Sequence, residues 1–166
     1  MILLALGANL PSRIGTPLQT LNHVLALLPR HGVRVVAVSG FYSNPAVPAS
    51  DQPDFINCIA RVETVLTPEQ LLQTCLEIER DLGRVRTEKW AARTIDLDIV
   101  DYDGRRMSGD DLTLPHPRIA ERAFVLVPIR DVAPDWWHPV TGERIEALIE
   151  ALPPDERAIL KPLALQ

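Results

Sequence analysis

Two four-residue segments constrain this chain more than any others: Thr16-Pro17-Leu18-Gln19 and Thr67-Pro68-Glu69-Gln70. Each offers a threonine whose hydroxyl accepts from the first helical turn, a proline where no donor is missed, and a glutamine that reaches back to the cap. Two helices therefore start at fixed points. In the first, Leu18, Leu21, Val24 or Leu25, and Leu28 recur at helical spacing, and the run ends near Pro29 to Gly32. In the second, Leu71, Cys75, Ile78 and Leu82 form one stripe that stops at Gly83.

The segments flanking these helices read as strands. Residues 1–7 are apolar, without a basic leader and too short for a signal core or a membrane span, and predict a buried first strand. Residues 33–42 are rich in β-branched side chains and predict a second. A three-proline loop over 43–53 leads to a third strand over 55–64, in which Phe55, Asn57, Ile59 and Arg61 share one face. Ile56, Cys58, Ala60 and Val62 share the other, taken as the core face. With a fourth strand over 95–99, the order is strand, helix, strand, strand, helix, strand. That order predicts an α+β class with a ferredoxin-like βαββαβ core, an antiparallel sheet with helices on both faces. Downstream, a short strand is expected at 112–114, a helix at 124–132, a hairpin from Trp136 to Gly142 and a short helix at 145–151, while the Pro-rich tail after Leu152 is left docked or loose. No repeat or boundary interrupts the chain, so residues 1–166 read as a single domain.

The chemistry concentrates in the fourth strand and the loop before it. From Ile95 to Ile99 apolar and acidic residues alternate, which sends Asp96 and Asp98 together to one face. Two adjacent carboxylates raise each other's pKa unless a cation lies between them, and hard divalent ions such as Mg2+ prefer such oxygens. Upstream, Arg84, Arg86, Lys89 and Arg93 supply four positive charges without helical spacing, as a loop folding over a polyphosphate would. A net charge of −5 argues against a nucleic-acid binder and points to small-molecule partners. Cys58 and Cys75, with no Cys-x-x-Cys spacing, read as reduced core residues of a cytoplasmic protein.

The constellation Arg84-x-Arg86-x(6)-Arg93-Thr94-x-Asp96-x-Asp98 resembles the signature of the 6-hydroxymethyl-7,8-dihydropterin pyrophosphokinases of folate biosynthesis. Further motifs agree, in chain order from Leu6-Gly7-Ala8-Asn9 to about Pro134: Phe41-Tyr42-Ser43-Asn44-Pro45, then Asp51-Gln52-Pro53-Asp54-Phe55-Ile56-Asn57, and Leu114-Pro115-His116-Pro117-Arg118 followed by Arg122-Ala123-Phe124. The resemblance implies transfer of pyrophosphate from ATP to 6-hydroxymethyl-7,8-dihydropterin, with AMP released. It implies that Asp96 and Asp98 hold two Mg2+ ions, and that Arg84, Arg86, Arg93 and Asp98 act in catalysis. Asn44, Pro45, Ala46, Phe55, Asn57, Trp90 and Phe124 would bind the pterin, with Phe55 and Phe124 stacking on the ring and Asn57 reading its edge. Glu79, Arg84, Arg86, Trp90, Arg93, Ile99, Thr113, His116 and Arg122 would bind ATP. Where the family commonly has Trp-Gly-Pro-Arg this chain has Trp90-Ala91-Ala92-Arg93. A competing reading is a ferredoxin-like binding module for RNA or a small regulatory ligand; its RNA form is opposed by the acidic balance, and a regulatory domain has no need for paired aspartates beside an arginine loop.

Overall fold

Both capping boxes close. In α1 (Pro17–Leu27) the Thr16 hydroxyl accepts from the Gln19 N–H at 3.2 Å, while the Gln19 side chain takes the Thr16 N–H at 2.9 Å. The second helix, α2 (Pro68–Asp81), repeats the exchange at Thr67 and Gln70. These distances come from a computed structural model of the chain, which describes residues 1–46, 49–83 and 94–164. The first helix tightens into a 3-10 turn and stops at Gly32, whose φ of 80° suits glycine. Leu18, expected on the buried stripe, is exposed; Thr20 is buried instead, its hydroxyl donating to the Thr16 carbonyl at 3.0 Å and accepting from the Ser12 hydroxyl at 2.7 Å.

The main sheet runs in the order β5 (Asp96–Tyr102), β1 (Ile2–Ala8), β4 (Phe55–Thr64), β3 (Tyr42–Asn44), β8 (Lys161–Pro162), and β2 (Val33–Val38) also pairs with β4. Every pairing is antiparallel. β4 is ten residues long, which lets it hold β1 along one side and both β2 and β3 along the other.

The second expected strand, over 33–42, is in fact two. At the break, Ser39 exchanges bonds with Ile59, its N–H donating to the Ile59 carbonyl at 2.9 Å while its hydroxyl accepts from the Ile59 N–H at 2.9 Å. Gly40 then turns its N–H out of the ladder to the Asp131 carboxylate at 3.1 Å. A side-chain acceptor replaces a ladder bond at each step, and the strand direction changes there.

Alternate residues feed two cores. Leu4, Leu6, Cys58, Ala60, Leu97 and Ile99 pack under Leu21, Val24, Leu71, Cys75 and Ile78 of α1 and α2. Leu3, Ile59 and Val100 pack on the opposite face against α3 (Ala123–Val132) and α4 (Ile145–Glu150). The core face expected on β4 is thus one of two: Ile59, on the other face, is fully buried under α3, in keeping with the helices expected on both faces of the sheet.

Beyond the sheet, β6 (Met107–Ser108) pairs with β7 (Thr113–Leu114), and a hairpin closes where Trp137 bridges Arg144. The tail is docked, through α5 (Pro154–Ala158) and then β8 on the outer edge of β3. No helix among the described residues is long and apolar enough to cross a membrane.

Candidate active site

The alternation in β5 has the predicted result. Ile95, Leu97 and Ile99 enter the core under α1 and α2, and Asp96 and Asp98 lie half-buried on the opposite face. Register decides what stands beside them. Asp96 pairs with Gly7 of β1, Gly7 with Asn57 of β4, and Asn57 with Tyr42 of β3, so these four form one row across the sheet. Asp98, Ala5 and Ile59 form the next row. Neighbouring strands are about 4.8 Å apart, which sets the Asp96 and Asn57 backbones roughly 10 Å from each other. Gly7 contributes no side chain to that gap, and the Asn57 amide leans over it: a Cβ at Gly7 would lie 2.5 Å from Asn57 Oδ1.

On the β3 side, Asn57 is buried and its Nδ2 donates to Asn44 Oδ1; Asn44, also buried, donates its own Nδ2 to the Pro45 carbonyl at 3.0 Å. Ala46 is buried beside them and Pro45 is exposed. Phe55 pairs with Asn44 and shares the face of Asn57, half-buried. Phe124, at the start of α3, packs against the second core with the Arg122 guanidinium 5.4 Å from its ring centroid. Asn9, just past β1, donates to the Gln52 side chain and the Pro53 carbonyl, both at 3.1 Å, tying the loop before β4 to the end of β1.

The remaining expected nucleotide residues surround β5. Glu79 of α2 is buried and accepts from the Leu97 N–H at 3.0 Å, so its carboxylate holds the free edge of the strand between the two aspartates. The Ile99 side chain is in the core. His116, after the cis Leu114–Pro115 bond, is fastened to β5 by its N–H to the Val100 carbonyl at 3.0 Å, and its Nδ1 accepts from the Arg118 N–H at 3.4 Å. Thr113 is exposed on β7.

Electrostatics join these groups. Burial, followed by the charge of Arg122, holds His116 below the ordinary histidine range against an opposing pull from Asp96. Burial likewise lowers Arg122, whose charge is favoured in turn by Asp98 and Asp96. One anionic pair and a cationic flank thus face a common space. Arg84, Arg86, Lys89, Trp90 and Arg93 lie outside the described residues.

Sequence reasoning missed two features of the site: the seating of the Asn57 amide over Gly7, and the tie from Tyr42 to Asp131. A glycine inside an apolar strand was the available signal for the first. A sequence profile described as 7,8-dihydro-6-hydroxymethylpterin-pyrophosphokinase matches residues 3–134.

The chain belongs to that family.

Among pyrophosphokinases, a Methylorubrum extorquens protein named 2-amino-4-hydroxy-6-hydroxymethyldihydropteridine pyrophosphokinase is 41% identical over 151 residues, spanning 91% of this chain and 92% of its own length. A Synechocystis protein of the same name is 42% identical over 146 residues, spanning 87% of this chain and 72% of its own. A crystal structure of Plasmodium falciparum HPPK-DHPS, a triple mutant with pteroate, superposes with a TM-score of 0.73 at 14% identity. It covers 99% of this chain but this chain covers 46% of it, and at that identity the likeness bears on the fold alone.

Proposed function

We propose that the family reaction takes place across the Asp96–Gly7–Asn57 row, with the phosphates on the Asp96 side and the pterin on the Asn57 side. The activity is transfer of pyrophosphate from ATP to 6-hydroxymethyl-7,8-dihydropterin, in folate biosynthesis. The observation that carries the geometric reading is the row itself: carboxylate, glycine and buried amide on one face, in register, with the amide leaning over the glycine.

Magnesium suits the donors present. Among the described residues no three His, Cys, Asp or Glu gather as a metal cluster, and Mg2+ is ordinarily held by one or two carboxylates together with substrate phosphates. Asp96 and Asp98 would hold two such ions, which supply charge neutralisation for the triphosphate. Around them, His116 and Arg122 bind the nucleotide with Glu79, Ile99 and Thr113, and the arginines 84, 86 and 93 neutralise charge as it spreads in the transition state. Asn57, held by Asn44, reads the pterin edge. Phe55 and Phe124 stack on the ring, and Trp90 and the main chain of Pro45 and Ala46 complete the pocket. The hydroxymethyl oxygen attacks the β-phosphorus in line with the departing AMP oxygen, and positioning accounts for the rate without a covalent enzyme intermediate. The strand order β5-β1-β4-β2, with α1 and α2 on one face, supports a ferredoxin-like unit within one domain. Buried free cysteines support a cytoplasmic setting.

Asp96→Ala and Asp98→Ala test the assignment, because both side chains face the ligand and neither removal hollows the core. Each variant is expected to melt close to the parent and to lose Mg2+-dependent turnover by at least about 100-fold. Near-normal turnover of either at saturating Mg2+ removes that carboxylate from the reaction.

A further inference from the structure

We propose that Asp131, at the end of α3 far from Phe124, is a positioning residue for the pterin pocket: it latches β3 to α3 through Tyr42 and so sets Asn44 and Asn57 opposite Phe124. The proposal rests on the pterin reading given above. One carboxylate oxygen of Asp131 takes two donors, the Tyr42 hydroxyl at 2.6 Å and the Gly40 N–H at 3.1 Å. Both donors belong to the segment that leaves the β2 direction and becomes β3, where the ladder to β4 is interrupted.

The connection onward is short. Tyr42 lies opposite Asn57 in the cross-strand row, and two residues later Asn44 accepts from the Asn57 amide. A shift of β3 along or away from β4 therefore moves the Asn44 oxygen that orients Asn57. On α3, Asp131 and Phe124 are seven residues apart, about 10 Å along the helix axis. The helix thus carries a wall of the pocket near its start and the anchor of the opposite wall near its end. Besides its ladder to β4, β3 is supported by β8, which pairs with Tyr42 and Ser43, and by the Leu163 N–H to the Phe41 carbonyl at 2.8 Å. Leu163 packs against the first core, on the sheet face away from α3. The phenol of Tyr42 is pushed up to about 12, first by burial and then by its bond to the Asp131 carboxylate, as a donor to an anion should be.

Kinetics at saturating ATP and Mg2+ with Tyr42→Phe, Asp131→Ala and the double variant test the latch. The expected result is a rise of about 5- to 10-fold in KM for the dihydropterin in each single variant, no further rise in the double, and smaller changes in kcat and in KM for ATP. A merely structural role would move both KM values and kcat together. Tyr42→Phe keeps the ring, so it serves where Asp131→Ala fails to fold. In parallel, absorbance titration of the phenols should show one tyrosine ionising at lower pH in Asp131→Ala than in the parent. An unchanged dihydropterin KM in both single variants, or an equal loss for ATP, overturns the proposal. A parent protein that turns over no dihydropterin overturns the pterin reading and the proposal with it. The phenol titration distinguishes that failure, because it reports the latch whatever the substrate.

Discussion

Gly7 shows how a single missing side chain shapes the site. Its backbone is extended, so an added methyl meets no conformational penalty, only the Asn57 amide 2.5 Å away. The cheapest relief is rotation of Asn57, which breaks its bond to Asn44. Gly7→Ala should therefore fold and melt near the parent temperature yet raise KM for the dihydropterin by roughly 10-fold or more, with KM for ATP little changed. Equal effects on both substrates would show that Gly7 serves the fold and not the pterin side. Residues such as Asp96, Asp98 and Asn57 were legible in the sequence because period-two alternation fixes the face of each without knowledge of the neighbours. The seating of Asn57 over Gly7 and the Tyr42–Asp131 bond were not, since both depend on register between strands and helices distant in sequence.

One imidazole ties the turn of the hairpin after α3. His138 is buried, and its Nδ1 accepts from the Val140 N–H at 3.1 Å and the Thr141 N–H at 3.2 Å. Its ring meets Trp136 edge-on, and the Trp136 indole donates to Asp101 at 2.8 Å. Protonation of Nδ1 would abolish both acceptor bonds. Burial, the largest influence, lowers the His138 pKa in the folded state, while the charges of Glu143 and Asp101 work against it. A lowered histidine pKa favours the neutral form on folding, so the contribution to stability is complete above the unfolded value near 6.5 and is lost as the pH falls below it. His138→Asn, whose side-chain oxygen can replace the Nδ1 acceptor without titrating, should melt with a shallower fall between pH 7 and 5 than the parent. Parallel melting profiles would remove His138 from the pH response. Capping boxes and apolar stripes made α1 and α2 legible, and alternation did the same for β4, β5 and the apolar run of α3. The split of β2 from β3 and the docking of β8 escaped, because Ser39 and Gly40 leave the ladder for side-chain acceptors and a two-residue strand carries no period.

The two cores share the central strands, so α1, α2, α3 and α4 are coupled through β1 and β4. Cys58 and Cys75, on β4 and α2, report on that coupling, as burial pushes each thiol up to about 12. Both should react with a thiol reagent only as fast as the whole chain opens, at matched rates and with a common dependence on urea. Fast labelling of one under native conditions would mean that α2 opens apart from the sheet. The order of the larger elements and the helices on both faces of the sheet were expected from local signals, whereas the burial of Ile59 was not, because the helix covering it lies some sixty residues downstream. The reaction itself is tested most directly by its products. Incubation with ATP, Mg2+ and 6-hydroxymethyl-7,8-dihydropterin, followed by phosphorus NMR, should give AMP and the pterin diphosphate in equal amounts, neither without the other. ADP with a pterin monophosphate, or AMP released independently of the pterin, would contradict transfer of pyrophosphate at this site.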